Sequence, residues 1–510
     1  MFSAVFSGGM HGMHAYPVRV EVDLSKGLPC FELVGSASRE VKEAKERVQI
    51  ALKNAGFSLP VSKITVNLSP ANISKEGTGY DLPIAAGLLA CMEVWDLHTL
   101  PNTAFLGELA LNGEIRKISG VLPIAMALQK EGIKRMIVPF ENLAECMAVP
   151  GMEAVGIQDM REFISYLQMS EAERKEKFHN IKIRKKKQET KAEPDFQDVY
   201  GQESAKRASM IAAAGFHHML MAGPPGAGKT MIAGRIPSIL PPLTEAEKLE
   251  VASIYSIVGK LTDGLPEKRP FVAPHHTSSP QALAGGGRTP RPGLLSLAHR
   301  GVLFLDEMPE FSSTTIEVLR QPMEEKKVQI ARSQGIYVYP ADFILVCAMN
   351  PCPCGYFPDR NKCTCTEPEI KRYLGRISGP ILDRIDMFAQ TSAIKPADFS
   401  KTVQGESSAV IRDKVREARE RQKMRYQGSG YQFNGDVNGK DIKRYCALGL
   451  KESNFLDQVF DNGTMSMRSY HKVIKLSRTI ADMEGKENIE TAHLAEAVCF
   501  NHGRNMYWKT

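Results

Sequence analysis

Gly223, Pro224, Pro225, Gly226, Ala227, Gly228, Lys229 and Thr230 follow one another directly. Glycines at this spacing let backbone N–H groups close on phosphate oxygens. A terminal lysine reaches the outer phosphates, and a hydroxyl beside it can join a Mg²⁺ shell. Downstream, Val302-Leu-Phe-Leu-Asp-Glu307 is an apolar run ending in two carboxylates. Asp306 suits the metal shell, and Glu307 suits polarising a water for attack on a γ-phosphate. A third apolar run, Phe343-Ile-Leu-Val-Cys-Ala-Met, ends on Asn350. A glycine-rich turn would account for the first stretch alone. The three in this order predict ATP as ligand, Mg²⁺ as its partner and hydrolysis as the reaction.

Cys352, Cys354, Cys363 and Cys365 form two C-x-C pairs separated by eight residues, directly after Asn350. Four thiolates at short spacing suit tetrahedral Zn²⁺, although C-x-C is tighter than the usual C-x₂-C. Free thiols or a redox-sensitive pair are the other reading. Gly355 and Pro358 supply the turn between the pairs. Cys30, Cys91, Cys146, Cys347, Cys446 and Cys499 stand singly among apolar neighbours and are expected in cores. His275 and His276 lack Cys or carboxylate partners at fixed spacing, so packing or backbone bonding is expected of them.

These groups need elements to hold them. The helical pattern from Glu203 to Ala214 and the strand His218-Met-Leu-Met-Ala lead into the glycine-rich loop, the context that a phosphate-binding loop requires. Pro237 and then Pro241-Pro242 are expected to cut short the helix that follows. The stretch 264–293 is crowded with Pro, Gly and Ser/Thr and reads as a long loop, either functional or disordered. Val328–Tyr339 reads as a hairpin. Residues 408–426 and 466–484 read as helices, giving an all-α C-terminal part.

The N-terminal part alternates strand and helix signals. Val18-Arg-Val-Glu-Val-Asp, Cys30-Phe-Glu-Leu-Val, Lys63-Ile-Thr-Val-Asn-Leu and Arg135-Met-Ile-Val-Pro read as strands. Residues 38–55, with apolar Val41, Val48, Ile50 and Leu52, read as an amphipathic helix; Leu82–Cys91 and Pro123–Lys130 read as further helices. The fold class is therefore α/β. Four segments follow: an α/β domain over 1–168, a charged linker over 169–194, an α/β core over 195–395 and a helical part over 396–510. The basic run Lys182-Ile-Arg-Lys-Lys-Lys187 is read as solvated linker or as a nucleic-acid contact.

At 510 residues, two to four domains are expected. A hydrophobic content of 43% with 24% charged residues is that of an ordinary globular protein. The formal charge of +7 permits a polyanionic partner without demanding one. The sequence contains no apolar run of membrane-spanning length, ~18 residues. The first residues carry no basic stretch ahead of their apolar ones, so no export signal is expected. With ten cysteines and no export signal, a reducing, cytoplasmic setting is expected.

The constellation resembles the AAA+ ATPases. Val199-Tyr-Gly-Gln-Glu, with Tyr200, resembles the segment lining the adenine pocket, and Asn350 resembles the polar first sensor. Leu382-Asp-Arg-Ile-Asp386 resembles the segment presenting an arginine finger, which makes Arg384 the candidate. An ion pair with Asp383 or Asp386 is the alternative. Met465-Ser-Met-Arg468 resembles the second sensor. The stretch 264–293 and the hairpin resemble two insertions shared by MCM helicases and magnesium chelatase motor subunits.

Over its whole length, including Pro274-His-His-Thr-Ser-Ser and Gly285-Gly-Gly-Arg288, the chain resembles the ComM/YifB family. That resemblance implies a hexameric, Mg-ATP-driven motor promoting branch migration of DNA in homologous recombination and natural transformation. It implies branched or single-stranded DNA and recombination proteins as partners. By analogy, Arg288 and Arg291 in one insertion, and Lys326, Lys327 and Arg332 about the hairpin, are the candidate DNA contacts. Ordinary solvated loops are the alternative.

Leu106-Gly-Glu-Leu-Ala-Leu-Asn-Gly-Glu-Ile-Arg and Gly132–Asn142 resemble the Lon protease domain. There Gly79 stands at the nucleophile position and Val121–Leu122 at the lysine position, so a Ser-Lys dyad is lacking and no peptidase activity is expected. A chelatase motor remodelling a partner protein, and a non-enzymatic scaffold, are the competing functions.

Overall fold

Val18, Val20 and Val22 are fully buried while Arg19 between them is exposed, as a strand with one covered face requires. The computed structural model describes residues 1–178, 194–261, 264–333, 335–393, 405–461 and 465–508. The basic run Lys182–Lys187 and most of the stretch read as a linker lie outside them. Two compact units are present.

The first unit comprises Met1–Gln188, Glu245–Pro266 and Ala331–Val338. Its strands are β1 (Phe2–His11), β2 (His14–Ser25), β3 (Cys30–Val34), β4 (Lys63–Ser69), β5 (Thr103–Phe105), β8 (Arg135–Pro139) and β9 (Glu153–Ile157). They form one mixed sheet in the order β3-β4-β2-β1-β5-β8-β9. A separate ribbon pairs β6 (Glu108–Leu109) with β7 (Ile115–Arg116). Helices Asp81–Cys91 and Val121–Lys130 are almost wholly apolar and largely buried.

Two expectations are corrected here. The helix over 38–55 is two pieces, Arg39–Lys42 and Ala44–Asn54, that meet at Glu43. Ile50 is exposed, because Val48, Ala51 and Leu52 already fill the covered face. The strand β1, for which no expectation was formed, pairs with β2 along its full length, from Phe2 opposite Asp23 to His11 opposite His14.

The second unit comprises Glu189–Thr244, Glu267–Ile330 and Tyr339–Thr510. Its sheet is built from β10 (Met219–Ala222), β11 (Phe271–Val272), β14 (Val302–Leu305), β17 (Ile344–Met349) and β18 (Met387–Gln390). All pair parallel, in the order β11-β14-β17-β10-β18. β10, β14 and β17 are buried throughout, as strands covered on both faces must be. In such a sheet ligands gather beyond the carboxyl ends of the strands, where the order reverses. The glycine-rich loop leaves β10 at that place.

The helix after the loop runs Lys229–Ile239 with Pro237 inside it. Pro237 therefore does not break the helix; it falls in the last turn, two residues before the end. Within 264–293 the structure places short elements: β11, a helix Pro280–Ala284, and a ribbon of β12 (Gly285–Gly286) with β13 (Arg291–Pro292). β15 (Lys327–Arg332) and β16 (Gly335–Pro340) form the expected hairpin.

Helices Ser408–Arg425 and Met467–Met483 begin on Ser407 and Ser466, whose side chains accept from Val410 and Ser469 N–H, the usual N-cap arrangement. Ile411, Val415, Ile474 and Ile480 share one core with Ala208, Ile211 and Ala212 of helix Glu203–Gly215. The C-terminal region is helical and packs on the α/β core within this unit. Among the described residues no helix is long and apolar enough to cross a membrane.

Candidate active site

Gly226 and Gly228 have φ of +73° and +79°, a backbone region that side chains with a Cβ rarely adopt. They turn the chain sharply between β10 and the helix opening at Lys229. Lys229 is 8% exposed. Its ammonium donates to Gly223 O at 2.7 Å, Pro224 O at 2.9 Å and Asn350 Oδ1 at 3.1 Å. Burial lowers its pKa, against the raising pull of Asp306 and Glu307.

Thr230 Oγ1 donates to Asp306 Oδ2 at 2.6 Å. Thr230 and Asp306 are the residues that would hold a Mg²⁺ ion, which would supply neutralisation of phosphate charge. The strand ends therefore bring Lys229, Thr230, Asp306, Glu307 and Asn350 to one place, as the three motifs predicted.

Glu307 holds φ +50° and ψ +47°, left-handed values costly for a residue with a Cβ. Its carboxylate is 57% exposed and lies 3.9 Å from His276 Nδ1. His276 packs against His275 with ring centroids 4.2 Å apart, and His275 Nδ1 meets Thr277 Oγ1 at 2.8 Å. Packing or backbone bonding is the expectation for these histidines; the rings do pack, and Thr277 N–H donates to His275 Nδ1 at 3.4 Å. The approach of His276 to Glu307 is not expected, since nothing in the spacing foretells it.

Tyr200 is 42% exposed. The segment carrying it is anchored on both sides. Arg235 Nε donates to Asp195 O at 2.7 Å and Arg235 Nη2 to Asp198 at 3.0 Å, while Gln202 Nε2 donates to Ser392 O at 2.6 Å.

Arg384 pairs with neither Asp383 nor Asp386. Its Nη2 lies 2.5 Å from Glu324, its Nη1 donates to Pro380 O at 2.6 Å, and its side chain is 9% exposed. Arg468 Nη2 reaches the same Glu324 oxygen at 3.3 Å. Both arginines line a cavity of about 440 Å³, together with Lys472, Lys475 and His218. Glu324, which joins them, carried no sequence signal.

Among the DNA candidates, Arg288 and Arg291 are exposed around the β12–β13 ribbon, and Arg332 is exposed on the hairpin. Lys327 lies 3.8 Å from Glu325. Lys326 is engaged internally: it pairs with Asp436 at 2.5 Å and Asp342 at 3.4 Å and lies over the Phe216 ring.

Cys352, Cys354, Cys363 and Cys365 place four sulfurs within 4.8 Å of one another. The separations Cys352–Cys354, Cys352–Cys363 and Cys354–Cys363 are 3.3, 3.8 and 3.6 Å. Tetrahedral thiolates at ~2.3 Å from a metal stand ~3.8 Å apart, so the set fits one ion. Of the single cysteines, 91, 146, 347 and 446 are buried as expected. Cys499 is exposed and Cys30 half-buried, which corrects that expectation: each sits on the solvent side of its element.

In the first unit Gly79 lies just before helix Asp81–Cys91, and a Cβ there would meet Ile118 Cδ1 at 3.1 Å. Val121 and Leu122 are fully buried.

Three family models match the chain: subunit ChlI of Mg-chelatase over residues 20–142, magnesium chelatase subunit ChlI over 195–399, and the ChlI C-terminal region over 405–501. The competence protein ComM of Haemophilus influenzae is 41% identical over 502 residues, 97% of this chain and 96% of that one. The YifB protein of Escherichia coli is 39% identical over 500 residues, 98% of this chain and 96% of that one. Lon protease 2 of Bacillus subtilis is 28% identical over 169 residues, 31% of this chain and 29% of that one. Identity of this depth over nearly the whole of both chains leaves one conclusion: the chain belongs to the ComM/YifB family of magnesium-chelatase-like AAA+ proteins.

Proposed function

We propose that the protein is a cytoplasmic, hexameric Mg-ATP-driven DNA motor that promotes branch migration of recombination intermediates. The observation carrying the reading is the junction of Lys229 with Asn350 and of Thr230 with Asp306. It sits in a chain alike from end to end to a protein named for competence. Gly223–Thr230 would cradle the phosphates, with Tyr200 beside the adenine, and Thr230 and Asp306 would hold Mg²⁺. Glu307 would take the proton of the attacking water, which Asn350 orients. Arg384 would reach the γ-phosphate of a neighbouring protomer, and Arg468 would follow the nucleotide from the helical region.

A guanidinium supplied from outside the site is worth about 10³–10⁵ in rate. For Arg384 this requires leaving Glu324, so the lone chain is expected to turn over slowly. Arg288, Arg291, Lys327 and Arg332 are the proposed phosphate contacts, with Lys326 bracing the hairpin base. Zn²⁺ is the proposed ion of the four cysteines. The crowding of position 79 by Ile118 supports a first unit without peptidase activity, serving assembly or partner binding.

The test is turnover of Mg-ATP by purified protein with and without a four-way DNA junction, at graded salt. Stimulation by the junction, its dissociation into products, and steep loss of binding with salt are expected. Each phosphate-contacting arginine removed should lower the salt slope by ~1. Turnover indifferent to DNA would favour a second reading, a motor remodelling a partner protein for metal insertion, which the magnesium chelatase matches support.

A further inference from the structure

The segment after β17 touches the phosphate loop twice. Asn350 Oδ1 accepts from Lys229 Nζ at 3.1 Å. Five residues on, Gly355 has φ +86°, and a Cβ there would fall 2.5 Å from Pro225 Cδ and 2.8 Å from Cγ. The turn between the cysteines is thus pressed on the proline ring at the centre of the loop. Its shape is set by the sulfurs. Gly355 N–H donates to Cys352 O at 3.0 Å, Phe357 N–H to Cys352 Sγ at 3.4 Å, and Cys352 itself is fully buried.

Four thiolates this close repel one another unless a cation joins them, so the ion decides whether the turn keeps this shape. We infer that a thiophilic divalent metal, Zn²⁺ by its ligand set, held by Cys352, Cys354, Cys363 and Cys365 controls nucleotide affinity by bracing the phosphate loop through Gly355 and Pro225. The inference rests on reading Gly223–Thr230 as the nucleotide site. With the metal present, the turn fixes Pro225 and keeps the loop N–H groups open to phosphate. With it removed, the turn relaxes, and the loop must be ordered at the expense of binding energy. Coupling between two sites is reciprocal, so nucleotide must tighten metal binding by the same factor.

Full-length protein would be compared with stoichiometric zinc and after stripping under reducing conditions. Affinity for a fluorescent ADP with Mg²⁺ is expected to be roughly 5- to 150-fold higher in the zinc form. Zinc affinity, read by competition with a chromophoric chelator, should rise by the same factor when Mg-ADP saturates. Gly355→Ala leaves the cysteines untouched. It should retain zinc by elemental analysis and native circular dichroism, yet bind the fluorescent ADP several-fold more weakly. Equal ADP affinity with and without zinc, zinc affinity indifferent to ADP, or a protein that binds no zinc would each overturn the inference. Failure of both forms to bind ADP would instead overturn the nucleotide-site reading beneath it.

Discussion

Lys229 Nζ donates to Asn350 Oδ1 at 3.1 Å, joining the first residue of the helix after the glycine-rich loop to the residue directly after β17. The two lie 121 positions apart in the chain and meet because β10 and β17 are neighbours in register, Ala222 opposite Met349. The adjacency makes the loop and the sensor one unit, in which the amide is turned towards the site by the ammonium.

Asn350→Ala leaves Lys229 its two carbonyl partners, Gly223 and Pro224. Nucleotide affinity is therefore expected to stay within a few-fold, while the turnover number falls about 10²-fold through loss of water orientation. Equilibrium binding of a fluorescent nucleotide and single-turnover hydrolysis separate the two. A large loss of affinity with unchanged turnover of bound ATP would show instead that Asn350 serves only to hold the lysine.

Glu307→Gln keeps the shape of the left-handed turn but cannot accept a proton. It is expected to bind ATP and lose turnover by roughly 10²–10⁴-fold. His276 faces that carboxylate at 3.9 Å, too far for a strong hydrogen bond. His276→Ala should therefore act modestly, lowering turnover about 10-fold or less at unchanged ATP affinity. An effect of His276→Ala as large as that of Glu307→Gln would make the histidine a proton carrier in its own right.

The phosphate loop, the carboxylate pair and the sensor were legible because each is a short local pattern at the end of a buried apolar strand. The parallel sheet then has to bring those ends together. What stayed hidden depends on contacts distant in sequence. β1 contains Gly8-Gly9 and few β-branched residues, so its propensity is weak; only pairing with β2 defines it. The helix Glu245–Ile257 is interposed between elements of the second unit, yet belongs to the first. There Ser256 O accepts from Gly120 N–H at 3.0 Å, and its hydroxyl donates to Glu145 at 2.7 Å. The tip of the hairpin belongs to the first unit too, with Tyr337 against His11 at 4.6 Å between ring centroids. Such pairings leave no periodicity to read. Glu324 is another case, an ordinary surface acid by sequence that holds Arg384 and Arg468 together.

Arg384→Ala is expected to retain nucleotide and lose turnover about 10³-fold or more, as removal of a guanidinium from the transition state does. Lys229→Ala should lose nucleotide binding itself. If the arginine acts across a protomer boundary, mixing the two inactive proteins recovers measurable hydrolysis, because some boundaries then pair an intact loop with an intact arginine. Turnover by the mixture no greater than the sum of its parts would place Arg384 outside that role, and the bond to Glu324 would then be its function.

His218 connects the sheet to the cavity that holds these arginines. Its Nδ1 accepts from Leu345 N–H at 3.1 Å, which a protonated nitrogen could not do. Burial pulls its pKa down to about 4, against the raising influence of Asp386. In the unfolded chain the ring titrates near ~6.5. Between those values the unfolded chain binds a proton that the folded protein does not, so stability rises with pH across the window. The contribution is complete above ~6.5, is lost as pH falls towards 4, and is expected to be about 2 kcal/mol, since the half-buried ring lines a cavity with polar walls. His218→Asn keeps an acceptor for Leu345 and removes the titration. Denaturant midpoints at several pH values between ~4.5 and ~7 should therefore rise less steeply with pH for the variant than for the parent. Parallel slopes in the two proteins would mean that the ring is protonated alike in both states, and that the bond to Leu345 does not persist in solution.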